Sequence, residues 1–306
     1  MPGIEHFSTV NTPLDQYRES IELELVKRVE VPFTKGEIIY AQTESGVSVV
    51  VKKPLRKEQA EHEWVGLNKA HSTGILVPLP IALINYSQEQ LAIVSALVDG
   101  NNLYYFPNPK IKSEIGRQVR IMHDLAEVDG RTWESSGRKT FEYYDKYKFN
   151  WSRGKIEELS IDSETSLLLT SLAINMEVFC RESQPTFNHN DLHDGQIIVD
   201  KNNTPVIIDF GNWNEETWLN DLGYYLFHLI RTDRNNDDFG NFLDGYTGGK
   251  KFSDVEKSNL AFYLLFISSR ALAYFYRNNS PYLAIAKDTH TKVLAYLADE
   301  VLWKSY

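Results

Sequence analysis

The segment His189-Asn-Asp-Leu-His-Asp-Gly-Gln196 gathers polar groups that can do chemistry, and Ile208-Asp-Phe-Gly211 follows it after a short apolar run. Their types fit transfer of a phosphoryl group. That reaction needs a carboxylate to orient the acceptor hydroxyl, oxygen ligands for a metal ion, and a cation on the nucleotide phosphates. Asp191 fits the first role. Gln196, five positions on, offers an amide oxygen after one turn of loop, and Asp209 lies 18 residues beyond Asp191. Hard oxygen ligands of this kind suit Mg2+.

The elements around these residues must bring them together. Apolar runs at 196–199 and 205–208 flank Asp200-Lys-Asn-Asn203, a hairpin signal that returns Asp209 beside the first loop. Residues 37–42 and 47–52 read as two strands about the turn Thr43-Glu-Ser-Gly46. In residues 58–67, Ala60, Trp64 and Leu67 recur at helical spacing. Residues 81–85 and 90–94 read as a further strand pair, whereas 21–31 fit either helix or strand. After Gly100 the character becomes helical, with helices expected over 111–125 and 163–182 and from Asp221 onward. Residues 141–151 are dense in aromatics.

The chain has 306 residues, 24% of them charged, and a net charge of −10. This is a globular composition, long enough for one large domain or two lobes. The acidic balance argues against broad nucleic-acid binding, which needs a basic face. One cysteine, Cys180, excludes a disulfide scaffold and an all-cysteine metal site. The N-terminus has no signal-peptide character. The most apolar run, 260–267, is too short for a membrane span, which needs roughly 20 residues. A cytoplasmic protein is expected, without nucleic-acid or membrane partners.

The pattern HNDLHDGQ followed by IIDFG resembles the aminoglycoside phosphotransferase and choline kinase branch of the protein-kinase-like superfamily, which shows His-Gly-Asp-Leu-His-x-x-Asn and then Ile-Asp-Phe/Trp. The resemblance covers roughly residues 30–230. It implies Asp191 as catalytic base, Gln196 and Asp209 as metal ligands, and His189 as a structural brace. Two positions depart from the family pattern. Asn190 stands where glycine is usual, and Gln196 where asparagine is usual. In the N-terminal part, Val49-Val-Val-Lys52 resembles the strand bearing the phosphate-binding lysine, with Lys53 facing the other way. Glu63 is then the lysine's partner, and Glu61 the alternative. Lys35 and Gly36 resemble the nucleotide-covering loop. Ala96 and Val98 resemble the hinge that offers backbone groups to the nucleotide base. His123 resembles a structural histidine of the family. Asp221 is either a brace for the catalytic loop or a helix N-cap.

The implied fold is α+β and two-lobed: a small β-rich nucleotide-binding lobe over residues 1–98 and a larger helical catalytic and substrate lobe over 99–306. The implied activity is Mg2+-dependent transfer of phosphate from ATP or GTP to a hydroxyl of a small molecule. Residues 213–245 carry seven acids and two basic residues. Asp233, Asp237 and Asp238 among them suit a cationic acceptor such as an aminoglycoside antibiotic. The segment Thr34-Lys-Gly-Glu37 together with residues 60–80 also resembles the RIO kinases, so a RIO-like protein serine kinase is one alternative. A non-catalytic nucleotide-binding pseudokinase is the other, and the intact Lys52, Asp191 and Asp209 speak against it.

Overall fold

The computed structural model describes residues 4–8, 20–30, 36–105, 108–125, 185–233, 236–278 and 280–298. The expected helix over 163–182, Cys180 and the aromatic stretch 141–151 lie outside them. In chain order the first strands are β1 (Ile4–Ser8), β2 (Ser20–Glu30), β3 (Glu37–Thr43) and β4 (Ser48–Lys53). Helix α1 (Lys57–Ser72) precedes β5 (Pro80–Ser87), β6 (Gln90–Ala96) and β7 (Gly100–Asn102). Then come α2 (Pro109–Leu125), β8 (Thr186–Asn188), β9 (Ile197–Asp200), β10 (Pro205–Ile207) and β11 (Asn214–Glu216). Four helices end the chain: α3 (Leu219–Arg231), α4 (Asn236–Thr247), α5 (Asp254–Arg277) and α6 (Leu283–Ala298). The chain divides into two compact units, Met1–Phe106 with Gly195–Trp213, and Pro107–Asp194 with Asn214–Tyr306.

The first unit is built on a six-stranded sheet of order β1-β2-β3-β4-β6-β5, antiparallel throughout. Of the segment 21–31, residues 21–30 join it in strand β2 rather than in a helix. Ile21 and Leu23 are buried while Glu24 is exposed, the period of two that a half-buried strand requires. Ile39, Ala41, Val49, Val51, Ala92 and Val94 complete one apolar face. The Thr43–Gly46 turn closes with Gly46 at φ 76°. Helix α1 buries Ala60, Glu63, Trp64, Leu67 and Ala70, a stripe at helical spacing. A second sheet of order β10-β9-β7 completes this unit. Its β9–β10 hairpin turns through Asn203 at φ 59° and is tied to β7 by pairs such as Asn101 with Val199.

In the second unit α2 packs along α4. The helices approach closely because glycines face carbonyls at the crossing. A Cβ on Gly116 would collide with the Phe242 carbonyl, and one on Gly245 with that of Ser113. Helix α5 starts at a capping box, in which the Ser253 backbone N–H donates to Glu256 Oε2 (2.8 Å) and the Glu256 N–H to Ser253 Oγ (3.3 Å). It carries the apolar run 260–267 inward, all of it buried. No helix among the described residues is long and apolar enough to cross a membrane.

Candidate active site

Strand β4 and helix α1 place the first group of polar residues. Val49 and Val51 point into the apolar face of the sheet, so Lys52 points to the other, where α1 presents Glu63. Lys52 Nζ donates to Glu63 Oε1 at 2.7 Å and to Asp209 Oδ1 at 2.6 Å. Burial alone would lower the Lys52 pKa. The Glu63 and Asp209 carboxylates outweigh it and hold the ammonium well above its ordinary value. Lys53 faces elsewhere, paired with Glu37 at 2.7 Å and lying over the Tyr86 ring. Glu61 is exposed on the outer side of α1, 3.8 Å from Lys57.

The β9–β10 hairpin brings Gln196 and Asp209 together. Gln196 Nε2 donates to Asp209 Oδ2 at 3.4 Å, and the Ile208 N–H to the Gln196 carbonyl at 2.9 Å. Asp209 has φ 65°, a left-handed conformation that aspartate tolerates better than most residues. The turn after it is clamped to α1. Trp213 Nε1 donates to the His62 carbonyl at 2.6 Å, and the His62 ring stacks on the Trp213 indole at 4.7 Å and 9°. A Cβ on Gly66 would collide with that indole, so glycine alone admits the approach. This clamp has no signature in the sequence beyond a tryptophan four residues after Asp209 and a glycine in a helix.

The remaining expected nucleotide contacts lie in the same unit. Gly36 sits against the Lys53 carbonyl, 2.8 Å from where a Cβ would be. Lys35 is outside the described residues. Ala96, at the end of β6, donates its N–H to the Leu79 carbonyl, and Leu97 donates to Ser48. Val98 follows, half-buried.

In the second unit, the loop 189–194 is fixed at both ends. The carboxylate of Asp221 accepts the backbone N–H of His189 (2.8 Å) and of Asn190 (2.7 Å). It also pairs with His123 Nε2 at 3.1 Å, while His123 Nδ1 bonds the Tyr246 hydroxyl at 2.9 Å. Asp221 lies in the first turn of α3 and does not cap it, since Trp218 stands at the N-cap. Asn190 has φ 61° and accepts from Asn220 Nδ2 at 2.8 Å. The left-handed backbone explains why asparagine serves at a position where glycine is usual. At the other end, buried Asp194 accepts two bonds from buried Lys112 Nζ, at 2.7 and 2.8 Å, and one from Tyr225 Oη at 3.0 Å. Sequence reading passed over this ion pair. Its signal was a lysine beside Ile111 on the apolar stripe of a helix.

Between those anchors sit Asp191 and His193, both half-buried. The His193 ring stacks on His228 of α3 at 4.3 Å and 29°. Burial lowers the His228 pKa well below the usual imidazole value, and nearby His193 and Arg231 lower it further. The acids at 233–238 point to different partners. Asp233 pairs with Lys292 at 2.6 Å, Asp238 lies 4.0 Å from Lys112, and Asp237 is exposed.

A β-rich unit bearing a partly buried lysine–glutamate pair, with a larger helical unit, is the two-lobed protein-kinase-like fold. Residues 38–255 match the phosphotransferase enzyme family, and the chain belongs to that family; it is an enzyme of the small-molecule kinase kind. The solved structures agree on the fold. A spectinomycin phosphotransferase in complex with ADP and spectinomycin superposes with a TM-score of 0.58 at 16% identity, over 91% of this chain and 93% of its own. An amicoumacin kinase in complex with AMP-PNP and Ca2+ gives 0.56 at 14% identity, over 91% and 88%. An ethanolamine kinase of Plasmodium vivax gives 0.57 at 13%, over 90% and 81%. No curated protein matches the sequence.

Proposed function

We propose that the chain transfers the terminal phosphate of ATP or GTP to a hydroxyl of a small molecule, with Mg2+. The observation that carries this reading is the bridge from Lys52 to both Glu63 and Asp209, with the Gln196 amide beside it. A lysine kept cationic and steered by a glutamate can hold nucleotide phosphates. The donor set at Asp209 and Gln196 fits a hard cation. A half-turn of the Gln196 amide presents its oxygen to the same side as Asp209 Oδ2, giving the oxygen-only ligands that Mg2+ takes. When bound, the ion neutralises phosphate charge. Asp191 aligns the acceptor hydroxyl and takes its proton as the new oxygen–phosphorus bond forms. Asp221 and His189 hold the loop that bears Asp191.

The proposed acceptor is a hydroxylated amine, with cationic antibiotics of the aminoglycoside type first among them. The antibiotic and amine substrates named for the similar structures support this class. Family membership favours a small-molecule acceptor over the RIO-like alternative.

The deciding experiment is a nucleotide-consumption screen over aminoglycosides, choline-like amines, sugars and generic protein substrates, followed by Asp191→Ala on the best acceptor. Loss of a general base is expected to lower kcat by about 10²–10⁴-fold with nucleotide affinity nearly unchanged. Retained turnover would overturn the assignment. Lost nucleotide affinity would move Asp191 to a structural role.

A further inference from the structure

We propose that Asp191, His193 and His228 form a site for one divalent transition-metal ion of the Zn2+ or Co2+ kind, separate from the Mg2+ ligands Asp209 and Gln196. One ligand atom from each of the three residues lies within 4.8 Å of the others. The two rings are neighbours, with centroids 4.3 Å apart, so side-chain rotations turn their in-plane nitrogen lone pairs toward one ion beside the Asp191 carboxylate.

The site is anchored from two directions. Asp191 and His193 belong to a loop held before them by Asp221, through the N–H groups of His189 and Asn190, and after them by the Lys112–Asp194 pair. His228 projects from α3, whose neighbouring Phe227 and Leu229 are buried. Little chain ordering remains to oppose binding. The donor set also discriminates. Two imidazoles and one carboxylate suit Zn2+, Co2+, Ni2+ or Cu2+, whereas Mg2+ prefers oxygen ligands and keeps its waters. Three protein ligands leave a fourth tetrahedral position for water.

The consequence rests on the proposed function. An ion held here engages the Asp191 carboxylate and withdraws it from the acceptor hydroxyl, so the site is inhibitory. Metal binding itself does not depend on that reading.

The test uses the full chain freed of metal by a chelator and titrated with Co2+. The expected result is one ion per chain, with the visible absorption bands of low-coordinate cobalt, abolished by Zn2+ and untouched by millimolar Mg2+. His228→Gln and His193→Gln should lose the bands while melting as the parent does. His71→Gln, an exposed histidine on α1, should keep them. Absence of the bands in the parent, or their persistence in His228→Gln, overturns the site. In the activity arm, Zn2+ should suppress turnover of the parent and spare His228→Gln. Cobalt bands without suppression would support the metal site and count against Asp191 as the base, which separates the two readings.

Discussion

Lys52 and Lys53 are adjacent and chemically identical, yet a strand sends them to opposite faces. One meets Glu63 and Asp209; the other meets Glu37 on the opposite face. Lys52→Ala removes a charge-assisted contact worth about 1.5–3 kcal/mol. It is expected to lower kcat/KM for the nucleotide by roughly 10–10²-fold, as steady-state kinetics can show. Lys53→Ala removes only the pair with Glu37, away from Glu63 and Asp209, and should leave kcat/KM nearly unchanged. Equal losses in both variants would show that Lys52 has no special role. Asn190 gives a second expectation at this scale. Its φ of 61° costs a residue with a Cβ about 1–2 kcal/mol. Urea unfolding should therefore find Asn190→Ala less stable than Asn190→Gly. The reverse order would mean that the left-handed backbone does not govern this position.

Helix α1 and the turn after Asp209 act as one element through Trp213. The indole lies on the Gly66 backbone, bonded to the His62 carbonyl and approached by Lys69 at 5.1 Å. The clamp fixes α1, and with it Glu63, against the turn that follows Asp209. Gly66→Ala should raise intrinsic helix propensity by roughly 0.5–1 kcal/mol, but its Cβ must displace the indole, and overpacking of this kind costs about 1–3 kcal/mol. Net destabilisation in thermal melts is expected, together with lower nucleotide turnover. A more stable, fully active Gly66→Ala enzyme would show that the indole is not held in place. The helix pattern at 58–67 was legible because Ala60, Trp64 and Leu67 recur at helical spacing. The clamp was not, because it joins residues about 150 positions apart, and nothing local marks such a pair.

At the scale of the whole molecule, the pH response has one identifiable contributor in the α5–α6 packing. Ser268 Oγ meets His290 Nδ1 at 3.0 Å, and burial pushes the His290 pKa down to about 4. The unfolded chain protonates this ring near its ordinary value of 6.5, so acid favours unfolding. The cost is absent above pH 6.5, grows as pH falls toward 4, and then levels off. It amounts to about 3 kcal/mol when complete. His290→Gln should flatten the decline of urea stability between pH 6.5 and 4. An unchanged decline would place the acid sensitivity elsewhere.

Local chemistry made much of this protein readable from its sequence. Alternation gave β3 through β6, turn residues gave the two hairpins, and residue types marked Asp191, Gln196 and Asp209 as candidates for phosphoryl transfer. These depend on neighbours a few positions away, and the sequence displays such neighbours directly. Tertiary structure decided what depends on contacts over long separations. It chose strand for residues 20–30, because burial of Ile21 and Leu23 settled a pattern that alone fits two periods. It set Glu63 inward and Glu61 outward by fixing which side of α1 meets the sheet. It buried Lys112 against Asp194, 82 positions away. It stacked His193 on His228, a pairing that exists only because α3 returns to the loop bearing Asp191.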